Sequence, residues 1–511
     1  MGIKRFNATA DNTITNAFKE NLVTRGTGSN MGAADILEVF SIFAQASTSS
    51  LEASRVLIQF PVTNTDDATN SIEAQRDAGN IPASGNVNFY LKLTNARHSQ
   101  TTPKDFNLVV SAVSRSWSEG TGLDMENYSD AGFSNYISAS LSASGDDGGW
   151  TTAGGDYHTS PRVEQTFDNG TEDLEVNVTD FVEQWIAGTK SNYGFGIQLT
   201  SSQEESTTRS FYTKRFFART SEFFYRRPII EARFNDTRQD NRANFQYSSS
   251  LAPAADNLNT IWLYNRVRGR LTNIPEIGTG SIGVSIFSAS NGSPTGSALT
   301  LVADGTHVRA ANQLAVTGGF VSTGIYSASF ALTAASTPLT EVNDVWFKLA
   351  DSVTNAAATS TQYRTGSISP STLEASADQY FDQYFNKITN LKPSYFQDEV
   401  PMLRLYARPK NWKPTIYTVA QGTPETSIII SSSYSVYRLA DDLKIVNFGT
   451  GSDLSTLMSY DSSGNYFELD MNMFEPDFAY GIEICHYNEY TEDWEIQPEV
   501  FKFRVEKRQN R

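Results

Sequence analysis

The 511-residue chain has one cysteine, Cys485, so no disulfide can form within it and the fold needs no covalent staple. Histidine is equally scarce. The four present (His98, His158, His307, His486) form no H-E-x-x-H and no pair at ligand spacing. No G-x-S-x-G elbow or P-loop occurs, and no G-x-G-x-x-G stands in the strand-to-helix setting of a dinucleotide fingerprint, which removes the commonest hydrolase and nucleotide-binding signatures. No run of 18 apolar residues exists, so no membrane-spanning helix is expected. The opening "MGIKRFNATADN" lacks the apolar core of a signal peptide and has Phe6 where a myristoylation motif requires Ser or Thr; synthesis in a cytoplasm is expected. Positive charge is also short: the net charge is −17, and nucleic acid is not an expected partner, because it would demand a basic face. No repeat of fixed period supports a propeller or solenoid.

What the chain has in quantity is Ser, Thr, Asn, Gly, Tyr and Phe, residues of strands and turns rather than of helices. At roughly 150 residues per domain the length suggests about three domains. Strand-like pieces in residues 1–236 include "SRVLIQFPV" (54–62), "VNFYLKLTNA" (87–96), "DFNLVVSAVSRSW" (105–117) and "RPIIEARFN" (227–235). Phe89, Leu91 and Leu93 alternate with polar neighbours, the mark of a strand with one buried face. "VTDFVEQWIAGTK" reads as a short helix capped by Thr179, with Val182, Trp185 and Ile186 on its apolar face.

Residues 237–257 are polar and read as a linker or an arm. Residues 258–390 read as a second β-domain, with "TIWLYNRVRGRLTNI" (260–274) as one strand. It ends in an amphipathic helix in which Leu373, Ala377, Phe381, Tyr384 and Ile388 recur at helical spacing. Residues 391–511 read as a third β-sandwich, in which "SYDSSGNYFELD" carries a strong hairpin signal. The expected fold class is therefore all-β: three consecutive antiparallel β-sandwich-type domains with one or two short helices.

Two tryptophan-plus-acid segments, "SRSWSEGTGLD" (114–124) and "WTTAGGDY" (150–157), are the candidate ligand site. An exposed Trp117 or Trp150 would stack on a sugar face, with Asp156 as the polar partner, although tryptophan is more often buried. Glu119, Asp124, Asp146, Asp147 and Asp156 could supply the carboxylate pair of a glycosidase, but acids in such turns usually bond their own backbone, and no catalytic residue is assigned. "ASGDDGGW" and "DSSGN" offer oxygen ligands without matching a calcium loop, so no metal or cofactor is expected. Cys485 and His486 are adjacent on a strand and point to opposite faces, which makes a poor dyad. "TKRFFARTSEFFYRRP" (213–228) reads as a hairpin with aromatics inward and cations outward. Arg215, Arg219, Arg226 and Arg227 would then meet an acidic neighbouring subunit.

In order and spacing, "SRVLIQFPV", "GNIPASGNVNFYLKL", "VVSAVSRSWSEGTG", "WTTAGGDY", "VNVTDFVEQWIAG", "NYGFGIQL" and "RRPIIEARF" resemble the DNRLRE-type β-sandwich, a carbohydrate-binding-module-like family, over residues 10–236. The whole chain also resembles virion structural proteins of T4-like tailed bacteriophages of the marine cyanophage type. That likeness is carried by "SEFFYRRPIIEARFNDTRQDNRANF" and by "LMSYDSSGNYFELDMNMFEPDFAYGIEICHYN" with "QPEVFKFRVE". The resemblance implies a structural, non-enzymatic component of the neck, tail or baseplate. Its partners would be other virion proteins and copies of itself, and its location the virion. The alternative it implies is an adhesin module for host-surface glycan.

Overall fold

A computed structural model describes residues 1–47, 50–98, 102–125, 133–140, 148–290, 292–302, 314–334, 339–349, 361–371, 383–410, 416, 420, 426–488 and 491–508. The chain divides into two compact units. The first comprises Met1–Asn235 with the short segments Gly451–Ser455 and Met473–Glu475; the second comprises the remainder.

The first unit is a β-sandwich. One sheet has four strands in the order Ile3–Asn7, Ile229–Arg233, Asn88–Leu93, Leu174–Asn177. The other runs Ser210–Phe217, Ile36–Phe43, Leu51–Gln59, Phe195–Leu199, Phe106–Val113, Tyr157–Phe167, and Ala10–Thr15 also pairs with Leu51–Gln59. Period-2 patterning places Phe89, Leu91 and Leu93 in the core, where they meet Val56, Ile58, Leu108, Val110 and Ile197 from the facing sheet. The helix Thr179–Ile186 closes one side with Phe181, Val182 and Trp185 buried. Thr179 is its first residue rather than its cap: the hydroxyl accepts the Phe89 N–H instead, tying the helix to a strand.

The second unit holds three further sheets and a small ribbon. The largest runs Asn259–Tyr264, Ile325–Leu332, Val316–Ser322, Ile282–Ser290, Val342–Phe347, Gln362–Ile368, with two short strands paired alongside. A four-stranded sheet runs Tyr384–Ile388, Met402–Pro409, Gly464–Glu468, Ser459–Asp461. A six-stranded one runs Ser394–Phe396, Phe501–Glu506, Ala479–Asn488, Ser432–Arg438, Leu443–Val446, with Asp493–Ile496 paired to Ala479–Asn488. Its first pair, Ser394–Phe396 with Phe501–Glu506, is parallel. The expected hairpin forms, with Asp461 opposite Gly464. The chain is all-β, as expected.

Three local expectations fail, each for a physical reason. Tyr384–Ile388 is a strand, because its residues find a ladder with Met402–Pro409 that a helix would forgo; the rest of the expected helix, residues 372–382, lies outside the described residues. Residues 260–274 are not one strand, because the Arg268–Gly269 pair turns the chain back on itself. "TKRFFARTSEFFYRRP" is not a hairpin: Ser210–Phe217 and Ile229–Arg233 belong to different sheets. The polar segment 237–257, read as a linker or an arm, is anchored. Phe245 enters the core, and Arg242 is buried between carboxylates, its NH1 donating to Asp240 at 2.8 Å and its NH2 to Asp344 at 2.7 Å.

Asp344 is fully buried and also accepts the Trp346 Nε1–H at 2.6 Å, so Arg242 is what neutralises it. Replacing Arg242 by Met keeps most of the volume but strands that carboxylate. The second unit is expected to lose about 3–5 kcal/mol, read as a shift of its unfolding midpoint in urea. A midpoint within error of the wild type would contradict the assigned role.

Candidate functional site

The two tryptophan segments do come together, at one end of the first sandwich. Trp117 and Trp150 share a small hydrophobic cluster with Ile14, Leu57, Val113 and Ala139, packed on by Tyr157 and Tyr193. Both indoles are buried, at 8% and 7% exposure. Their N–H groups are also engaged: Trp117 donates to the Tyr193 carbonyl and Trp150 to the Asn135 carbonyl, each at 2.8 Å. Neither presents a face on which a sugar could stack. Asp156 is half-buried and accepts the Thr151 and Thr152 N–H groups at 2.9 Å, closing the 150–157 turn on itself. The glycan platform expected at Trp117, Trp150 and Asp156 is thus corrected to a loop-supporting minicore.

Around this minicore lies a buried polar web. Asn30 donates to the Glu119 and Ser134 carbonyls and accepts the Gly122 N–H. Gly120 and Gly122 make that approach feasible: a Cβ at Gly120 would lie 2.4 Å from the Asn30 side chain, and one at Gly122 1.9 Å from its carbonyl oxygen. Gly120 also has φ +86°, which an L side chain rarely adopts. Asn12 donates to Ser134 from the neighbouring strand.

The web contains one constellation with titratable chemistry. Arg219 grips Glu119 through both Nε and NH2, and its backbone N–H donates to Asp11 at 2.6 Å. The Asp11 N–H in turn donates to Glu119 at 2.7 Å. Burial raises the Asp11 carboxyl to about 7, and the nearby Glu119 charge pushes the same way, against the pull of the Arg219 N–H and guanidinium. The second Asp11 oxygen, Oδ1, is buried without a partner. A carboxyl–carboxylate pair with one member titrating near neutrality is a general acid–base motif in kind. Here, however, both groups hold backbone N–H groups or the arginine. A second pair, Arg55 with the buried Glu204 at 2.7 and 2.9 Å, sits against Tyr157, whose hydroxyl donates to the Gly154 carbonyl; burial pushes that phenol well up.

The basic segment is distributed differently from expectation. Lys214 points inward, not outward. Its ammonium donates to the Asn95 side chain and to the Gly170 and Glu172 carbonyls at 2.6–3.0 Å, and burial lowers it to about 8. Parity then turns Phe211 outward, with 45% exposure. Arg215 pairs with Glu38 at 3.0 Å, Arg219 with Glu119, and Arg227 donates to the Ser221 carbonyl. Only Arg226 of the four is exposed, stacked near Phe217 and Phe223. Three of the four expected contact arginines therefore have partners inside their own unit.

Elsewhere, burial raises Cys485 to about 12 and lowers His486 to about 4, so neither is activated, and His486 is held between Ser432 and Asn386. Among the described residues no group of three His, Cys, Asp or Glu is placed to hold a metal ion. Nor is any helix among them long and apolar enough to cross a membrane. Asp146, Asp147 and His307 lie outside the described residues.

No family profile and no curated protein matches the sequence. Among solved structures, the chain is similar to the N-terminal Ig1-2 module of the Drosophila receptor protein tyrosine phosphatase DLAR, at 10% identity over 49% of this chain and 91% of that one, with a TM-score of 0.14. It is also similar to the native conformation of E. coli alpha-2-macroglobulin, at 8% identity over 94% of this chain and 27% of that one, with a TM-score of 0.15. Neither likeness is close enough to bear on function.

The Asp11 carboxyl gives the site a signature. Its folded pKa is raised above the unfolded value, so folding takes up a proton between pH about 4 and about 7. Stability should fall as pH rises through that window, by up to ~1.4 kcal/mol per pH unit for this one group. In Asp11→Asn the contribution disappears and the profile flattens there, as denaturant titrations at several pH values will show. An unchanged slope would contradict the assignment.

Proposed function

We propose that the chain is a structural component of a tailed-phage virion, placed at the neck, tail or baseplate and working through contacts between subunits. The observation that supports this most is the condition of the sheet edges. Ser210–Phe217, Tyr384–Ile388 and Ser394–Phe396 each end the strand order of a sheet, and each shows solvent a phenylalanine: Phe211, Phe385 and Phe396; the first edge is covered by Thr94–Ala96 over Arg215–Phe217 and open toward Phe211, and the second carries the exposed Lys387. Edge strands of free-standing proteins are usually guarded by lysine, proline or a covering element, because an open apolar edge recruits another chain. Arg408 and Arg508 lie over the rings of Phe385 and Phe396, at 5.4 and 5.3 Å, an aromatic–arginine pairing common in interface cores. A stable interface needs on the order of 1,600 Å², which several such edges can supply together.

The alternative, a module for host-surface glycan, loses its expected platform with the burial of Trp117 and Trp150 and would need another surface.

An antibody against the purified chain, applied to purified particles and viewed by immunogold electron microscopy, is expected to label one defined place, such as the head–tail junction or the tail tip. Protein found only in the infected-cell lysate, with unlabelled particles, would overturn the proposal.

A further inference from the structure

Two protrusions of the second unit carry opposite charges that form no ion pair among the described residues, although Glu495 accepts the Asn488 side-chain amide and Asp493 the Trp494 N–H, each at 2.7 Å. The first is the ribbon Arg266–Val267 paired with Arg270–Leu271. Arg268 and Gly269 form its two-residue turn, both with positive φ (52° and 82°), as tight hairpins require. Its base is fixed: the Asn265 side chain donates to the Thr272 carbonyl at 2.6 Å, and the Asn265 N–H to the Gly324 carbonyl at 2.7 Å. Arg266, Arg268 and Arg270 are all exposed, and Val267 between them is 53% exposed. Among the described residues none of the three arginines has an ion pair.

The second protrusion is the end of the hairpin formed by Ala479–Asn488 and Asp493–Ile496, where Tyr487 faces Trp494 and Asn488 faces Asp493. Glu492, Asp493 and Glu495 are exposed there, beside Ile496 at 62% exposure. None of these acids has an ion pair among the described residues. The Tyr487 and Trp494 rings pack edge to face, 5.5 Å apart, and stiffen the hairpin.

We infer that these two elements are halves of one contact: the arginine ribbon of one copy docks on the acidic hairpin of the next. The match has three parts. Among the described residues each element presents three charges of one sign, positive on the ribbon and negative on the hairpin. Each adds an exposed aliphatic side chain, Val267 on the face of Arg270 and Ile496 on the face opposite Asp493 and Glu495. Both are paired strands, so little order has to be gained on binding. All the ribbon's cations are arginines, whose planar forks suit carboxylates. A phosphate backbone would leave Val267 without a contact, and three cations on a chain of net charge −17 make a poor nucleic-acid face. Because the two surfaces differ, the contact is head-to-tail and propagates into a ring or a filament. This deepens the assembly reading by naming a pair of elements and rests on that reading only in requiring that copies meet.

The test is a charge swap in the full chain, read by sedimentation velocity at low salt. The wild type is expected to self-associate, with an apparent Kd weakened about tenfold or more as ionic strength rises from ~0.05 to ~0.5 M. The triple reversal R266E/R268E/R270E and, separately, E492K/D493K/E495K should each sediment as monomers. Mixed together, they should associate again, since the reversed ribbon of one fits the reversed hairpin of the other. R266Q/R268Q/R270Q provides a milder check if a reversal perturbs folding, which far-ultraviolet circular dichroism will show. A monomeric wild type, reversals without effect, or a mixture that stays monomeric would each overturn the inference. So would a ribbon reversal that abolished binding to a DNA duplex while leaving self-association intact. Particles that label with antibody while the wild-type chain stays monomeric would overturn this contact and leave the virion role standing.

Discussion

Arginine–carboxylate pairing, buried or half-buried, is the interaction on which the rest of this structure depends. With no disulfide available, segments distant in sequence are tied by ion pairs that are wholly or partly withdrawn from water. Arg55 and Glu204 are 149 positions apart, Arg219 and Glu119 are 100, and Arg242 and Asp344 are 102. Glu231 extends the pattern: burial opposes its charge, yet Arg5, Lys92 and Arg233 hold its carboxyl down at about 2. Such pairs add little against a well-packed apolar alternative, but breaking one strands a charge in low dielectric. They therefore act less as glue than as a requirement that specific loops meet specific strands. Glu231 adds an acid-side limit: its contribution is present above pH about 4.5 and is lost as pH falls toward 2.

That requirement explains why the residues most suggestive of chemistry are architectural. Glu119 holds Arg219 and the Asp11 N–H; Asp156 closes a turn; Trp117 and Trp150 fill the space beneath both. Once these groups are engaged inside the first unit, interaction capacity shifts to what the fold leaves open. That comprises the sheet edges at Phe211, Phe385 and Phe396 and the two charged protrusions of the second unit.

The strand content was legible because alternation has a period of two and one buried face, as Phe89, Leu91 and Leu93 show, and because Ser462–Ser463 sits between paired residues in the hairpin at 459–468. Trp185 was legible as core from its helical face. The site was legible only as a neighbourhood. Nothing local in the sequence distinguishes a buried indole from an exposed one, and the partner of Glu119 lies a hundred positions away. Lys214 broke the rule that cations face water because three oxygen acceptors surround its ammonium, and they come from segments that no local pattern joins to it. The "RVRGR" ribbon hid inside an apparently continuous strand, although an Arg–Gly pair able to take positive φ at both positions was the signal that could have exposed it.

The central claim is that the sheet edges are completed by other subunits. Amide hydrogen exchange, followed in the isolated chain and in the chain within purified particles, tests it most directly. The account predicts slowed exchange in Ser210–Phe217, Tyr384–Ile388 and Ser394–Phe396 inside the particle, with the central strands of each sheet unchanged. Equal exchange of all three edges in both states would contradict it.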